Sequence, residues 1–214
     1  MKPLLSRKVI VIIGGTTGLG LSAAQACLRA GACVVVLGLD RSSAMSARRI
    51  LGKKARVVVG DATVSGTAEK AIKLAVSEFG GFHGLYHVAG GSGRRKGDGP
   101  LHELSDEGWE YTLKLNLTSV MLSNRAAVQA FQRAGTGGSI LNLASVLGFS
   151  PSPDFFGTQA YATAKSAIIG FTRSAAAAYV KENIRFNVLA PGLVATPMSV
   201  RAQDNPKIMQ FIKN

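Results

Sequence analysis

Val9-Ile10-Val11-Ile12-Ile13-Gly14-Gly15-Thr16-Thr17-Gly18-Leu19-Gly20 is the stretch whose reading decides the fold. A run of five β-branched residues stops at glycine. An Ala- and Leu-rich stretch, Leu19 to Ala30, follows and closes at Gly31, as a helix with a left-handed cap does. Strand, glycine turn and helix in that order make the turn chemically informative. Glycines let the backbone bend sharply and approach a pyrophosphate, whose charge is met by free N–H groups at the helix N-terminus. Taken alone, such a turn is also an ordinary tight strand–helix connection. The βαβ unit around it favours phosphate binding.

Outward from this unit the pattern repeats. Further strands are expected at Val34–Leu37, Val57–Val59, Gly84–Val88, Ser139–Leu143 and Ile184–Leu189. Helices are expected at Ser42–Leu51, at Thr63–Phe79 with Ala68, Ile72, Ala75 and Phe79 on one face, and at Thr158–Val180. A long helix is expected from Ser105 to Arg133, with Ser105 as N-cap and acids in its first turn. Gly90–Pro100, glycine-rich and basic, reads as a mobile loop. Apolar strands separated by helices imply a parallel sheet covered on both faces. The expected fold is therefore α/β, a single Rossmann-type doubly wound parallel sheet with helices on both faces, forming one domain over residues 1–214.

Bulk properties exclude several classes. Hydrophobic residues make up 47% and charged residues 17%, which is a globular composition and not a disordered one. No apolar run reaches the roughly 18 residues of a membrane span. Met1 to Lys8 is basic, but the apolar stretch behind it runs straight into glycines and reads as a strand, not a signal peptide. Cys27 and Cys33 are too few for a disulfide framework or a zinc site, so no metal and a cytoplasmic location with reduced thiols are expected. The net charge of +13 comes from scattered residues with short clusters at Arg48-Arg49, Lys53-Lys54 and Arg94-Arg95-Lys96. Scattered charge of this kind reads as solvated surface, and neither nucleic acid nor membrane is expected as a partner.

Downstream of the turn, an acidic residue is expected about 20 residues on, where it takes the ribose hydroxyls of a dinucleotide. Asp40 stands at that distance from Gly20, while Arg41 beside it would greet a 2′-phosphate instead. Tyr161 and Lys165, four apart at the start of a helix, share one face. A free tyrosine titrates near 10 and is a poor acid–base group at neutral pH, whereas a neighbouring cation favours phenolate. Ser145 lies just beyond the fifth strand, at the sheet end where open α/β folds bind ligands, and its hydroxyl would hold a substrate oxygen beside the phenol.

With these residues in place, the chain resembles the short-chain dehydrogenase/reductase family. The turn Gly14-x-x-x-Gly18-x-Gly20 is similar to the family's T-G-x-x-x-G-x-G, with Ile13 in place of the leading Thr. Asn142-Leu143-Ala144-Ser145 is similar to its N-x-S-S, and Tyr161 to Lys165 to its Y-x-x-x-K. Pro191-Gly192-Leu193-Val194-Ala195-Thr196 matches P-G-x-x-x-T.

The resemblance implies an NAD(P)-dependent oxidoreductase that moves a hydride between nicotinamide and a carbonyl or secondary alcohol. Tyr161 then carries the proton, Lys165 lowers its pKa and holds the nicotinamide ribose, Ser145 positions the oxygen, and Asn116 holds a water of the relay. Gly14, Thr16, Thr17, Gly18, Leu19 and Gly20 would hold the pyrophosphate, and Asp61 with Ala62 the adenine. Ala89 and Gly90 would let the cofactor approach, and Pro191, Gly192, Val194 and Thr196 would embrace the carboxamide. The family's acid at the end of the second strand is Gly38 here. The choice between NAD and NADP stays open, with Thr17 and Leu39 tilting it slightly to NAD. Asp61 reads equally as an N-cap of the next helix.

Three departures accompany the resemblance. The family's N-N-A-G appears as His87-Val88-Ala89-Gly90, with His87 read as a satisfied core residue ahead of a ligand contact. Ser145 and Tyr161 are 16 apart, with Phe155 and Phe156 in a longer gap that would shape the substrate mouth. Relatives continue through a covering helix and a seventh strand, so with the sequence ending at Asn214 that lid and last strand are expected to be missing or short. Trp109 reads as a core or interface aromatic. The two long helices imply a homodimer or homotetramer, and the aromatic loop tilts the substrate towards an apolar carbonyl. A dinucleotide binder without catalysis, and a nucleic-acid binder on the same scaffold, are the rival readings.

Overall fold

The computed structural model describes residues 3–213; Met1, Lys2 and Asn214 of the terminal readings above lie outside the described residues. Six strands form one sheet: β1 Val9–Ile13, β2 Cys33–Gly38, β3 Ala55–Val59, β4 Gly84–His87, β5 Gly138–Leu143 and β6 Ile184–Leu189. Their order is β3-β2-β1-β4-β5-β6, and every pairing is parallel. Helices α1 (Gly18–Arg29), α2 (Arg41–Leu51), α3 (Thr67–Phe79), α4 (Asp106–Leu113), α5 (Ser119–Ala134), α6 (Pro153–Phe156), α7 (Gln159–Tyr179), α8 (Val200–Gln203) and α9 (Pro206–Lys213) complete the chain. None of the described helices is long and apolar enough to cross a membrane.

The period of two in β1 splits the core. Val9, Val11 and Ile13 point to one face, where they pack with Ala71 and Ile72 of α3, Phe131 of α5 and Ala175 of α7. Ile12 points to the other, against Ala24 of α1 and Ala44 and Ala47 of α2. The strand order reverses direction at β1 and β4, where Ile13 is level with both Leu37 and His87. His87 is in turn level with Asn142, so the carboxyl ends of the central strands form one rim. A crevice opens at such a switch point, because successive crossovers leave it in opposite directions.

Three expectations are revised. The helix foreseen from Thr63 begins at Thr67, N-capped by Gly66 in the left-handed region at φ 85°. Asp61 accordingly caps a turn and not a helix, its carboxylate accepting the Thr63 N–H at 2.8 Å. The long helix from Ser105 carries the foreseen cap, with the Ser105 hydroxyl accepting from Gly108 N–H. It widens, however, into a π turn at Lys114–Thr118 before α5. Finally, the glycine-rich segment after β4 is anchored. Asp98, 2% exposed, accepts the backbone N–H groups of Ala160 and Tyr161 at 3.0 Å each.

Candidate active site

The turn after β1 is shaped by what its glycines exclude. Gly14 has φ +86°, and a Cβ there would stand 2.6 Å from the Ala89 backbone nitrogen. A Cβ on Gly20 would stand 2.0 Å from the Gly14 carbonyl oxygen. β1, β4 and the start of α1 are therefore closer than any side chain permits. Thr17 precedes α1 without a side-chain cap bond, and the first turn of α1 holds no acid. The N–H groups there remain available to an anion, at the positive end of the helix. Above the turn lies a cavity of about 270 Å³ walled by Gly14, Thr16, Thr17, Gly18 and Leu19, with Asp40 at one side and Asp61 and Ala62 beside it. Ala89, Gly90 and Thr196 also line it. Gly20 supports the turn from beneath, and Arg41 lies outside this wall. A turn with free N–H groups, held tight by Gly14 and Gly20, fits a dinucleotide pyrophosphate.

The ribose end explains Gly38. A Cβ on that residue would stand 2.1 Å from Thr16 Oγ1, so the Thr16 side chain fills the space an acid would need. Ser43 Oγ donates to Asp40 Oδ2 at 2.5 Å, the Ser43 N–H donates to Asp40 Oδ1 at 2.8 Å, and Ser43 Oγ lies 3.1 Å from Thr16 Oγ1. The Ser43 hydroxyl and N–H hold the Asp40 carboxyl below its ordinary range, keeping it ionised. Neither Thr16's displacement of an acid at position 38 nor Ser43 was foreseen. Their proximity depends on the β1–β2 register.

Around the rim of β4 and β5 the buried side chains are polar and paired. Lys165 is 3% exposed and its Nζ donates to the Leu143 carbonyl at 2.9 Å. Burial lowers its pKa to about 8. The ammonium lies 5.5 Å from the Tyr161 ring centroid. Burial raises the pKa of the Tyr161 phenol, and the nearby Ser145 hydroxyl, which accepts the Leu147 N–H at 3.2 Å, opposes the rise. The cation four residues on does not bring the phenol down, because desolvation of a phenolate dominates.

Asn116 is fully buried in the π turn. Its Nδ2 donates to the Gly91 and Thr112 carbonyls at 2.9 Å each, and its Oδ1 accepts the Gly91 N–H at 3.0 Å. The side chain thus ties the segment after β4 to the helix. His87 is equally satisfied: Nε2 lies 3.1 Å from the Ala89 carbonyl and Nδ1 lies 2.7 Å from Ser123 Oγ. The carbonyl requires a proton on Nε2, leaving Nδ1 to accept. Burial and the Lys165 charge push its pKa to about 3. Asn142 pairs reciprocally with Asn124 at 2.9 Å in each direction and reaches Thr172 Oγ1 at 3.1 Å. Trp109 is 38% exposed, so it is not a core residue.

A second cavity of about 500 Å³ adjoins the first, sharing Leu19, Leu143, Thr196 and Met198 with it. Ser145 and Tyr161 face it from one side, and Pro191, Gly192 and Val194 from another. Residues beyond Thr196 complete the wall through Arg201 and Ala202 of α8 and Phe211 and Ile212 of α9. The Thr196 N–H donates to Ser199 Oγ at 3.0 Å, which starts this covering segment. Phe156 of the longer gap lines the cavity as well. The two cavities thus meet beside the Leu143 carbonyl that holds Lys165.

Comparison with known proteins agrees with this geometry. The model of the short chain dehydrogenase family matches residues 8–207. A 2,5-dichloro-2,5-cyclohexadiene-1,4-diol dehydrogenase of Sphingobium indicum is 34% identical over 201 residues, covering 94% of this chain and 78% of that one. The 3beta-hydroxysteroid dehydrogenase 2 of Eggerthella lenta is 33% identical, over 92% of this chain and 75% of its own length. The solved structure of a short-chain type dehydrogenase/reductase from Mycobacterium ulcerans has a TM-score of 0.87 and 26% identity, covering 96% of this chain and 74% of that one. The chain belongs to the short-chain dehydrogenase/reductase family and is an NAD(P)-dependent oxidoreductase acting on a small molecule.

Proposed function

We propose that this protein interconverts a carbonyl and a secondary alcohol, with Tyr161 passing the proton on oxygen, and that it prefers NAD to NADP. The observation that carries the reading is the junction of the two cavities at Leu143, with Lys165 beneath it and Tyr161 and Ser145 on the larger side. When bound, the nicotinamide supplies or accepts the hydride, and its oxidised ring adds positive charge beside the phenol. Ser145 Oγ holds the substrate oxygen next to the Tyr161 hydroxyl. The half-buried phenol keeps its proton at neutral pH, ready for a carbonyl oxygen. Lys165 spends one of its three donors on Leu143, which leaves two for the ribose hydroxyls and the phenol. The Asn116 side chain is engaged by backbone, so its part in a water relay runs through the backbone of its π turn.

Along the first cavity, Gly14, Thr16, Thr17, Gly18, Leu19 and Gly20 hold the pyrophosphate, Asp61 and Ala62 the adenine, and Ala89 and Gly90 leave room for the approach. Pro191, Gly192, Val194 and Thr196 take the carboxamide. An ionised Asp40 in the wall accepts ribose hydroxyls and repels a 2′-phosphate, while Arg41 stands off it. We propose a homodimer or homotetramer paired through α5 and α7, where Ala177 and Ala178 are exposed; sedimentation at a single-chain mass overturns that part.

The deciding experiment follows nicotinamide absorbance with NADH and NADPH against ketones, beside Tyr161→Phe. Turnover lost in the variant with dinucleotide still bound supports the proton role, and undiminished turnover refutes it. Asp40→Ser should narrow the NADH preference; an unchanged ratio removes Asp40 from that role.

A further inference from the structure

The larger cavity carries charge of one sign. Arg94 and Arg201 reach its wall, and no Asp or Glu does. Arg94 comes from the short 3-10 turn Arg94–Lys96 in the segment after β4, and Arg201 from α8, so the two are separate in sequence and meet only at this wall. The ion pairs among the described residues involve Arg56, Lys96 and His102, and neither of these arginines. Asp98 lies near Arg94 and its negative charge favours the guanidinium, but it forms no ion pair with it, its two carboxylate oxygens accepting the N–H groups of Ala160 and Tyr161. Arg201 is held in place, its Nη2 donating to the Phe155 carbonyl at 3.0 Å and its guanidinium 5.7 Å from the Phe156 ring centroid. Arg94 feels partial burial and the like charge of Arg201, which together lower its pKa against the opposing charge of Asp98. Ser152 Oγ, on the same wall, is buried without a hydrogen-bond partner.

Two guanidiniums turned on one cavity repel each other unless an anion lies between them. Arginine is also the side chain whose planar fork of donors matches carboxylate, sulfonate and phosphate oxygens. The rest of the wall is largely apolar, with Val146, Leu147, Phe156, Leu193, Phe211 and Ile212. A pocket of this size encloses most of a small ligand.

Resting on the reading that the carbonyl sits at Tyr161 and Ser145, we infer that the substrate is an amphipathic carbonyl compound or alcohol with an anionic terminus. Its apolar body lies along the hydrophobic wall, and its carboxylate, sulfonate or phosphate group is received between Arg94 and Arg201. Ser152 offers that terminus a further donor. This extends the apolar expectation from the aromatic loop: the body is apolar and the far end is charged.

The test uses a matched pair of probes, 5-oxo-5-phenylpentanoate and its primary amide, on the full chain with NADH. Both kcat/KM and calorimetric binding are measured for wild type, Arg94→Gln, Arg201→Gln and the double variant. A charged hydrogen bond commonly exceeds a neutral one by about tenfold in affinity, so the carboxylate should be favoured about tenfold or more. Each single variant should reduce that ratio, and the double variant should bring it near one. Arg133→Gln, an exposed residue of α5 away from this wall, removes the same charge and should leave the ratio unchanged. Equal handling of the two probes by the wild type overturns the inference. So does a preference that Arg133→Gln lowers as much as the pocket variants do, since it then comes from the net charge of +13. Turnover without preference leaves the oxidoreductase reading standing and this one fallen. Arginine-dependent binding of the carboxylate, with no turnover of any ketone, does the reverse.

Discussion

The two adjoining cavities are built from different material. The smaller takes one continuous run, Gly14 with Thr16 to Leu19, along one side, and Gly14 and Gly38 in its wall are positions where no Cβ fits. The larger is gathered from separate pieces of chain: Arg94, Ser145, Tyr161, Arg201 and Phe211 arrive from five segments. A phosphate site needs closely spaced N–H groups, and a local glycine pattern can specify them. A substrate site needs particular functional groups to converge, and a few loop residues can be exchanged there without disturbing the sheet. The difference teaches why one end of such a protein is recognisable in sequence while the other is free to diverge.

That division can be broken by substitution. The largest effect is expected for Tyr161→Phe, which should lower kcat about 10²–10⁴-fold, the usual contribution of a positioned acid–base group, with dinucleotide binding retained in a fluorescence titration. Parallel collapse of binding would show that the two cavities are not separable. Gly14→Val comes next. It forces a β-branched residue to φ +86° with its Cβ 2.6 Å from Ala89 N, and should cost about 1–3 kcal/mol in urea unfolding as well as abolish dinucleotide binding. A variant that binds normally would show that the turn is not set by its backbone.

Asp98→Ala tests the tertiary side of the comparison. Losing the acceptor at the start of α7 should cost about 1 kcal/mol, as loss of a helix cap does, and should depress kcat more than dinucleotide affinity. An equal effect on both would place Asp98 in the general stability of the sheet. The smallest effect at neutral pH is expected at His87. Its pKa falls from 6.5 to about 3 on folding, so between these values the unfolded chain binds a proton the folded one refuses. Stability therefore drops as pH falls from about 6.5 towards 3. His87→Asn should flatten that part of the profile, measured as urea midpoints at pH 7 and pH 4.5; an unchanged slope would mean that another group carries it.

Much of this architecture was legible. β1 and β6 have the expected limits, and the other strands differ by one or two residues, because β-branched runs between glycines leave few alternatives. The placing of Tyr161 and Lys165 on one helix face, and of Ser145 just after β5, was readable from spacing. Less was legible where a residue's role depends on what lies across from it. Asp61 caps a turn because α3 starts at Thr67. Asn116 and His87 occupy readable positions, but their partners Gly91 and Ser123 belong to other segments. Asp98 lies in a stretch that reads as a loose loop, yet it is fastened 62 and 63 residues away.

By itself, the sequence determined the α/β alternation, the glycine turn between β1 and α1, and the placing of Tyr161 and Lys165 on one helix face. Each of these rests on local periodicity or backbone sterics, which act within a few residues. Only the tertiary structure decided that Thr16 fills the space above Gly38, that burial holds the Tyr161 phenol above its ordinary pKa, and that Arg94 and Arg201 share one wall. Those facts depend on desolvation and on distances between segments far apart in the chain, and both come into being only when the sheet is assembled.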